Sequence, residues 1–393
     1  MEANPHRRHR GLPRGAGRAG ASGTLAWAAL AVGLAAVSLF QGLAWRRDRA
    51  RALGLRLAGE QPRPRLAATP RVSILVAAWN EAGMIDAHLR SVVGLRYPNL
   101  EYVLAAGGAD GTYRRASAYA GPGVVVLEQR PGEGKQGALR RCLARASGEI
   151  LYFTDADCLL DDDSFERTVA PLVNEREMAA TGTAGPLPEQ LATNDFVRGQ
   201  WAVWFYRSPS IPTYTSGLLG RNAAVHRRAL LESEALAYRV TSGTDRFLAG
   251  RLTRAGYRIR YVGSSWIRTA YETSYPVYVR QQSRWLRNLV EHGIRFHDRA
   301  DVLHGARTMF VAMAALALSL ACLTLGPPGW ALLVPFIVHL ALTRARYLAF
   351  ASVVWGERWS VPWLKLPFYA YLDLFAWGRA MLQLLFPRLG ARW

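Results

Sequence analysis

Apolar positions divide the chain into two kinds of territory. Over residues 71–270 they occur as short β-type runs, each followed by a helix-like or glycine-rich stretch. "RVSILVAAW" ends at Asn80 and Glu81 and leads into a helical pattern over 82–93. "LEYVLAAGGADGT" runs into a glycine turn, "GVVVLEQ" is a third run, "KQGALRRCLARAS" has helical spacing, and "GEILYFTDADC" is a fourth run. Alternation of this kind predicts parallel βαβ units, with ligand sites at the C-terminal ends of the strands. Asn80, Glu81, Asp110, Asp155 and Asp157 all fall at those ends.

The second territory lacks alternation. Residues 24–45 are a run of 22 without charge, long enough to cross a bilayer as a helix. A signal peptide would have a shorter apolar core and a small-residue cleavage site. Here the run ends in "QGLAWRRDRAR", so a retained span is expected. Seven arginines between positions 46 and 65 outnumber the five before the run, which places the following domain on the cytosolic side. Two further apolar stretches, broken by "GPPGW" and closed by Arg344 and Arg346, read as a membrane hairpin. The organisation expected is a disordered basic tail (1–23), a transmembrane helix (24–45) and a basic juxtamembrane linker (46–70). A catalytic domain (71–270), an amphipathic interface segment (271–305), a transmembrane hairpin (306–355) and a C-terminal membrane or interfacial helix (356–393) complete it. The chain is thus expected at the cell membrane, multi-pass, with its catalytic domain cytoplasmic.

Composition changes this picture in two ways. The formal charge is +20, nearly all of it arginine, since Lys135 and Lys365 are the two lysines. Such a surface suits phosphates or anionic headgroups. No zinc-finger, homeodomain or RRM signature accompanies it, so a nucleic-acid partner is not expected. Cys142, Cys158 and Cys322 are scattered without a CxxC pair, which argues against a disulfide framework.

Against that positive background, "TDADCLLDDDSF" concentrates five carboxylates in nine residues. Asp155 and Asp157, at i and i+2 beyond a buried strand, can converge on one cation. Oxygen ligands suit Mg²⁺ or Mn²⁺. The competing reading is a helix cap, which fits Asp161, Asp162 and Asp163 ahead of "SFERTVAPLV".

Several segments, in order, resemble the family 2 glycosyltransferases, inverting enzymes of GT-A fold. "AAWNEAGMIDAHLRSVVGLRYPNLEYVL" is similar to the family's opening strand and helix, and "GADGT" to its second-strand turn. "GEGKQGALRRCLARASGEILYFTDAD" resembles the approach to the DxD, and "LLGRNAAVHRRAL" the loop behind the donor pocket. "SGTDRFLAGRLTRAGYRIRYV" resembles the segment with the catalytic carboxylate. "QQSRW" fits the QxxRW motif of membrane members such as cellulose, chitin and hyaluronan synthases. The fold implied is α/β, a GT-A mixed sheet, with transmembrane helices attached.

The resemblance implies Asn80 and Glu81 beside the nucleoside, Asp110 flanking that pocket, and Lys135 near the donor diphosphate. It further implies Asp155 and Asp157 at the metal and donor sugar, Asp245 as general base, and Gln281, Arg284 and Trp285 at the acceptor and diphosphate end. The partners implied are a nucleotide-sugar donor, with UDP first in line, a lipid or glycan acceptor, and the membrane. Two departures stand out. Ala105 and Ala106 replace the acidic pair of the second strand, and Thr244 replaces the first of the acidic pair at Asp245.

Local readings compete with these roles. Asp245 could cap a helix, and Lys135 could be a solvated charge in a glycine-rich loop that is not a Walker A sequence. Arg284 and Trp285 could belong to an interfacial amphipathic helix. Trp201, Trp204, Phe205 and Tyr206 could line an acceptor groove or pack the core. His292, His297, Cys142 and Cys158 read as structural. A polyprenyl-phosphate acceptor, a non-catalytic nucleotide-sugar binder and a basic nucleic-acid binder are the alternative functions.

Overall fold

The structure, a computed structural model, describes residues 16–59 and 61–386. Its strands are β1 Val72–Trp79, β2 Leu100–Gly107, β3 Val124–Glu128, β4 Ile150–Phe153, β5 Cys158–Leu159, β6 Ala179–Pro186, β7 Tyr214–Thr215, β8 Ala223–His226 and β9 Ile259–Thr269. Its helices are α1 Ala16–Ala58, α2 Ile85–Val93, α3 Thr112–Ser117, α4 Gly134–Arg145, α5 Asp162–Asn174, α6 Pro188–Thr193, α7 Asp195–Arg207, α8 Arg227–Glu232, α9 Thr244–Arg254, α10 Tyr275–Phe296, α11 Arg299–Thr324, α12 Pro327–Trp355 and α13 Lys365–Leu385.

The four apolar runs of the sequence become β1 to β4, which are parallel neighbours in the order β3-β2-β1-β4. The sheet continues as β8-β6-β9-β5, with β8 antiparallel to both β4 and β6. The fold is therefore a mixed α/β sheet, wholly parallel in its first half, while in its second half β6 and β9 run parallel and the other pairs antiparallel. Both faces of β1 are covered, as a parallel strand requires. Val72, Ile74, Val76 and Ala78 pack with Ile85, Leu89, Phe165 and Val169 on one side. Leu75 packs with Val103, Leu151, Leu139 and Leu248 on the other.

Glu101 closes the N-terminal edge of the parallel half. Its carboxylate accepts from the Ser73 hydroxyl, the Ser147 and Gly148 backbone N–H groups and the Arg71 guanidinium. Burial would push this carboxyl up, but those donors outweigh it and hold it below the usual range. One side chain thus joins the starts of β1 and β2 to the turn before β4.

The acidic run beyond β4 divides as the capping argument requires. Asp161 is the N-cap of α5 and accepts from Ser164 N at 2.7 Å, while Asp162 and Asp163 occupy the first turn. Asp162 pairs with Arg96 at 2.6 Å and Asp163 with Arg167 at 2.7 Å. Asp155 and Asp157 take no part in the cap.

Among the described residues, three helices are long and apolar enough to cross a membrane: α1 from Thr24, α11 and α12. Helix α1 differs from expectation at both ends. It begins at Ala16, eight residues ahead of the apolar run, and continues through the expected linker to Ala58. Of the expected basic tail, residues 1–15 lie outside the described residues. The continuation has a physical reason: Asp48 forms a buried ion pair with Arg346 of α12. Gln41 donates to Thr343 Oγ1 at 2.8 Å, and Gly33 lies flat against Pro335. Leu25, Trp27, Val32, Leu39, Phe40 and Leu43 of α1 remain exposed, an apolar surface of the kind a bilayer covers. The hairpin begins at Arg299 rather than 306. Helix α13 carries Asp373, buried between Arg344 of α12 and the Tyr278 hydroxyl of α10. It docks on α10, α11 and α12 and is not among the three.

Candidate active site

Three groups of side chains meet along the C-terminal edge of the sheet. The first is the pair of loops after β1 and β2. Asn80 adopts φ 59°, a left-handed backbone that Asn tolerates. Its Oδ1 accepts from Ala109 N at 2.9 Å, and Gly108 leaves the space: a Cβ there would lie 2.1 Å from Asn80 Oδ1. Asp110 accepts from Ala82 N at 2.9 Å and from Thr112 N and Oγ1 at 3.0 and 2.6 Å. The Thr112 and Ala82 hydrogen bonds hold its carboxyl below the usual range. Its carboxylate thus ties the two loops together. Glu81 faces other carboxylates. Burial first, then Asp157, Asp155 and Asp110, push it up to about 7. Ala105 and Ala106 are fully buried within β2, beside Ala77 and Ala78 of β1.

The second group is the Asp-x-Asp. Lys135, in the first turn of α4, donates to Asp155 Oδ1 at 2.5 Å, so it is a paired cation whose side chain remains partly exposed. Burial would push Asp155 up, but Lys135 and Arg221 prevail and hold it below the usual range. Asp157 is pushed up by burial and by Asp155. It receives long contacts, from Cys158 Sγ and Thr269 Oγ1, both at 3.4 Å. Among the described residues no three His, Cys, Asp or Glu side chains close on a metal. The chain therefore offers two carboxylates, with Asp157 largely uncommitted, and the mutual repulsion around them is what a cation relieves. Hard oxygen donors of this kind fit Mg²⁺ or Mn²⁺ with the remaining positions open to ligand oxygens.

The third group lines a cavity of about 480 Å³ between the sheet and the helical bundle. Asp245, Arg221, Gln281 and Trp285 share it with Trp204, Leu286, Leu289 and Trp377. Asp245 is not a cap: Gly243 is the N-cap of α9, and Asp245 sits one residue inside, its Oδ1 accepting from Arg246 N at 2.9 Å. The loop before it is held by α10, where Asn288 Nδ2 donates to Ser242 Oγ and His292 Nε2 pairs with Ser242 O, both at 3.0 Å. Helix α10 is amphipathic, with Ser283, Leu286, Asn288 and Val290 buried. Trp285 is 43% exposed and turned to the cavity. Arg284 is exposed on α10 and is not part of the lining, though its charge reaches Glu272. Of the aromatic cluster, Trp204 lines the cavity, while Trp201 and Phe205 are buried and Tyr206 stacks on Tyr347 with ring centroids 4.1 Å apart.

Arg221 was not singled out by sequence reasoning, although its loop was. It lies in the field of Asp155 and Asp157, donates to Thr269 Oγ1 at 3.3 Å, and places its guanidinium carbon 5.9 Å from the Trp285 ring centroid. Nothing local marks one arginine among so many; its position depends on residues 64 places away.

Residues 73–230 match the model for Glycosyl transferase family 2. A beta-monoglucosyldiacylglycerol synthase of Trichormus variabilis is 30% identical over 173 residues, covering 41% of this chain and 36% of that protein. The chain thus spans about a third of the length of the first curated relatives it matches. An N-acetylglucosaminyltransferase of Neorhizobium galegae is 24% identical over 82% of this chain and 81% of its own length. Among solved structures, a mannosyltransferase of Pyrobaculum calidifontis, in complex with GDP-Man and Mn²⁺, superposes with a TM-score of 0.52 at 22% identity. It covers 91% of this chain and 99% of the mannosyltransferase chain. Residues 73–230 are therefore a family 2 glycosyltransferase domain, carried on a GT-A fold to which long apolar helices are joined.

Proposed function

We propose that the chain is a membrane-anchored inverting glycosyltransferase that moves a sugar from a nucleotide-diphosphate sugar to a lipid acceptor hydroxyl at the cytosolic face. The observation that carries this reading is the cavity that Asp245, Trp285 and Gln281 line together, joined to the Asp-x-Asp through Arg221. Its walls from α10 and α13 set Trp285, Leu286, Leu289 and Trp377 beside the polar Gln281, Gln282, Asn288 and Asp373, and those helices pack against the helices long enough to span a bilayer. An acceptor with one apolar part and one hydroxyl suits such a space, and a relative that synthesises a glucosyl lipid supports the class.

In this reading Asp245 accepts the proton of the attacking hydroxyl, a task worth about 10²–10⁴-fold in rate. Trp285 offers a ring face to the sugar and Gln281 a hydrogen-bonding amide. Asn80, Glu81 and Asp110 shape the nucleoside end, and Lys135 stands where a diphosphate would draw it from Asp155. Asp155 and Asp157 would hold Mg²⁺ or Mn²⁺, which supplies neutralisation of the departing diphosphate; the Mn²⁺ bound by the solved mannosyltransferase supports that choice. With Ala105 and Ala106 in place of acids, uridine has no special claim over guanosine. The cytosolic orientation rests on the basic flank after the first span.

The test is a donor screen. Purified full chain in lipid vesicles is given a panel of UDP- and GDP-sugars with Mg²⁺ or Mn²⁺, and released nucleoside diphosphate is measured. Release from one donor, dependent on lipid and stopped by chelation, is expected. Absence of release from every donor contradicts the reading.

A further inference from the structure

The loop between β7 and β8 brings Gly220, Arg221 and Asn222 to the junction of the Asp-x-Asp and the cavity. Each of the three has a distinct job. Gly220 lets the loop approach α9 closely: a Cβ at this position would lie 2.8 Å from Asp245 Cβ. Asn222 is fully buried and anchors the loop to the sheet. Its Oδ1 accepts from Tyr152 and Thr168, both at 2.8 Å, and its Nδ2 donates to Thr183 O at 2.8 Å. Arg221 is therefore held from both sides, on a backbone that has little freedom to move.

Its side chain is held less completely. A guanidinium has five N–H donors. One of its nitrogens reaches Thr269 Oγ1 at 3.3 Å, and among the described residues Arg221 forms no ion pair. Of the other cations near the site, Lys135 is engaged with Asp155 and Arg246 with Asp298 and Asp301, while Arg207 lines the cavity where its charge acts on Tyr278. Unlike Lys135 and Arg246, Arg221 keeps its fork available, facing the cavity that also holds Asp245.

We propose that Arg221 binds the diphosphate of the donor and stabilises the charge that develops on it as the glycosidic bond breaks. A planar fork matches phosphate oxygens in bidentate fashion, and a preorganised donor costs no rearrangement when charge appears. The bond broken is the anomeric C–O bond to the diphosphate, whose oxygen takes the electron pair. The acceptor oxygen forms the new bond and its proton goes to Asp245. This role rests on the glycosyltransferase reading above.

The test separates the two. Full-length protein is titrated calorimetrically with UDP, GDP, uridine and guanosine in the presence of Mg²⁺. Arg221→Gln is expected to weaken nucleoside-diphosphate binding about 10- to 100-fold, leaving the affinity for the neutral nucleoside unchanged. Retained nucleoside binding shows that the variant is folded. Arg221→Lys, which keeps charge but not the fork, recovers part of the loss, and Arg228→Gln on the exposed helix α8 has no effect. Full diphosphate affinity in Arg221→Gln overturns the proposal, as does a change confined to the KM of a phosphorylated acceptor lipid, which would assign the fork to the acceptor. Absence of nucleoside-diphosphate binding by the wild type would overturn the glycosyltransferase reading and this role with it.

Discussion

The two halves of the proposed site, donor and acceptor, are built in different ways. The donor half rests on consecutive βα units. Asn80, Asp110 and Asp155 each follow a parallel strand, and Lys135 starts the helix between β3 and β4. Apart from Arg221, its parts are within about 80 residues of one another, and its wiring is local: Asp110 to Ala82, Lys135 to Asp155, Glu101 to Ser147. The acceptor half is assembled from α7, α9, α10 and α13, whose contributions run from Gln200 to Trp377. Its critical loop at Ser242 is held by Asn288 and His292 of a helix that lies against the bundle. A donor site can therefore be intact while the acceptor site is not, and perturbations should sort accordingly.

The largest effect is expected in the donor half. Asp155→Asn with Asp157→Asn should lower turnover by about 10³-fold or more, and should also weaken binding of the nucleoside diphosphate in Mg²⁺. Turnover and nucleotide binding measured on one preparation check this; loss of turnover with full metal-dependent binding would mean that the two carboxylates do not hold the cation.

Next in size is the support of Asp245. Asn288→Ala with His292→Ala removes the partners of Ser242 and should reduce kcat about 10- to 100-fold, since small misplacements of a reacting group carry such penalties. Nucleoside-diphosphate affinity should stay within about twofold. If affinity and kcat fell together, the two halves would be coupled and the comparison would fail.

Trp285→Ala should act on the acceptor alone. Its KM is expected to rise about tenfold, in keeping with one lost stacking surface, while donor KM is unchanged.

The smallest catalytic effect belongs to Glu101→Gln, far from the cavity. It leaves backbone N–H groups of the donor half with a weaker acceptor and should destabilise the α/β domain by about 2–3 kcal/mol without changing kcat at low temperature. Because the folded carboxyl is held below its unfolded value, its contribution is present above the unfolded pKa and is lost as pH falls through the folded one. Wild type should therefore lose more thermal stability on acidification than the variant, which differential scanning at several pH values measures.

The same contrast explains what could be read from the chain. β1 to β4 were legible because each is a largely apolar run bounded by turn residues, with β1, β2 and β4 mostly buried and β3 a half-buried edge. Asp161 was legible as a cap because capping is a local rule. The second half of the sheet was less so: β5 and β7 have two residues each, and β6 is "AATGTAGP", too small and glycine-rich to announce itself. Helix α1 overran its apolar run because an ion pair with Arg346, 298 residues away, supports the extension. Arg221 and Trp377 join the cavity only through tertiary packing, so no spacing in the sequence marks them.

The central claim is that Asp245 takes the proton of an acceptor hydroxyl in a cavity that adjoins the nucleotide site at Arg221. Asp245→Asn tests it most directly, because the substitution keeps size and removes basicity. The account predicts that this variant binds nucleoside diphosphate and metal as the wild type does, while acceptor-dependent release of nucleoside diphosphate falls about 10²–10⁴-fold. Release at the wild-type rate would contradict it.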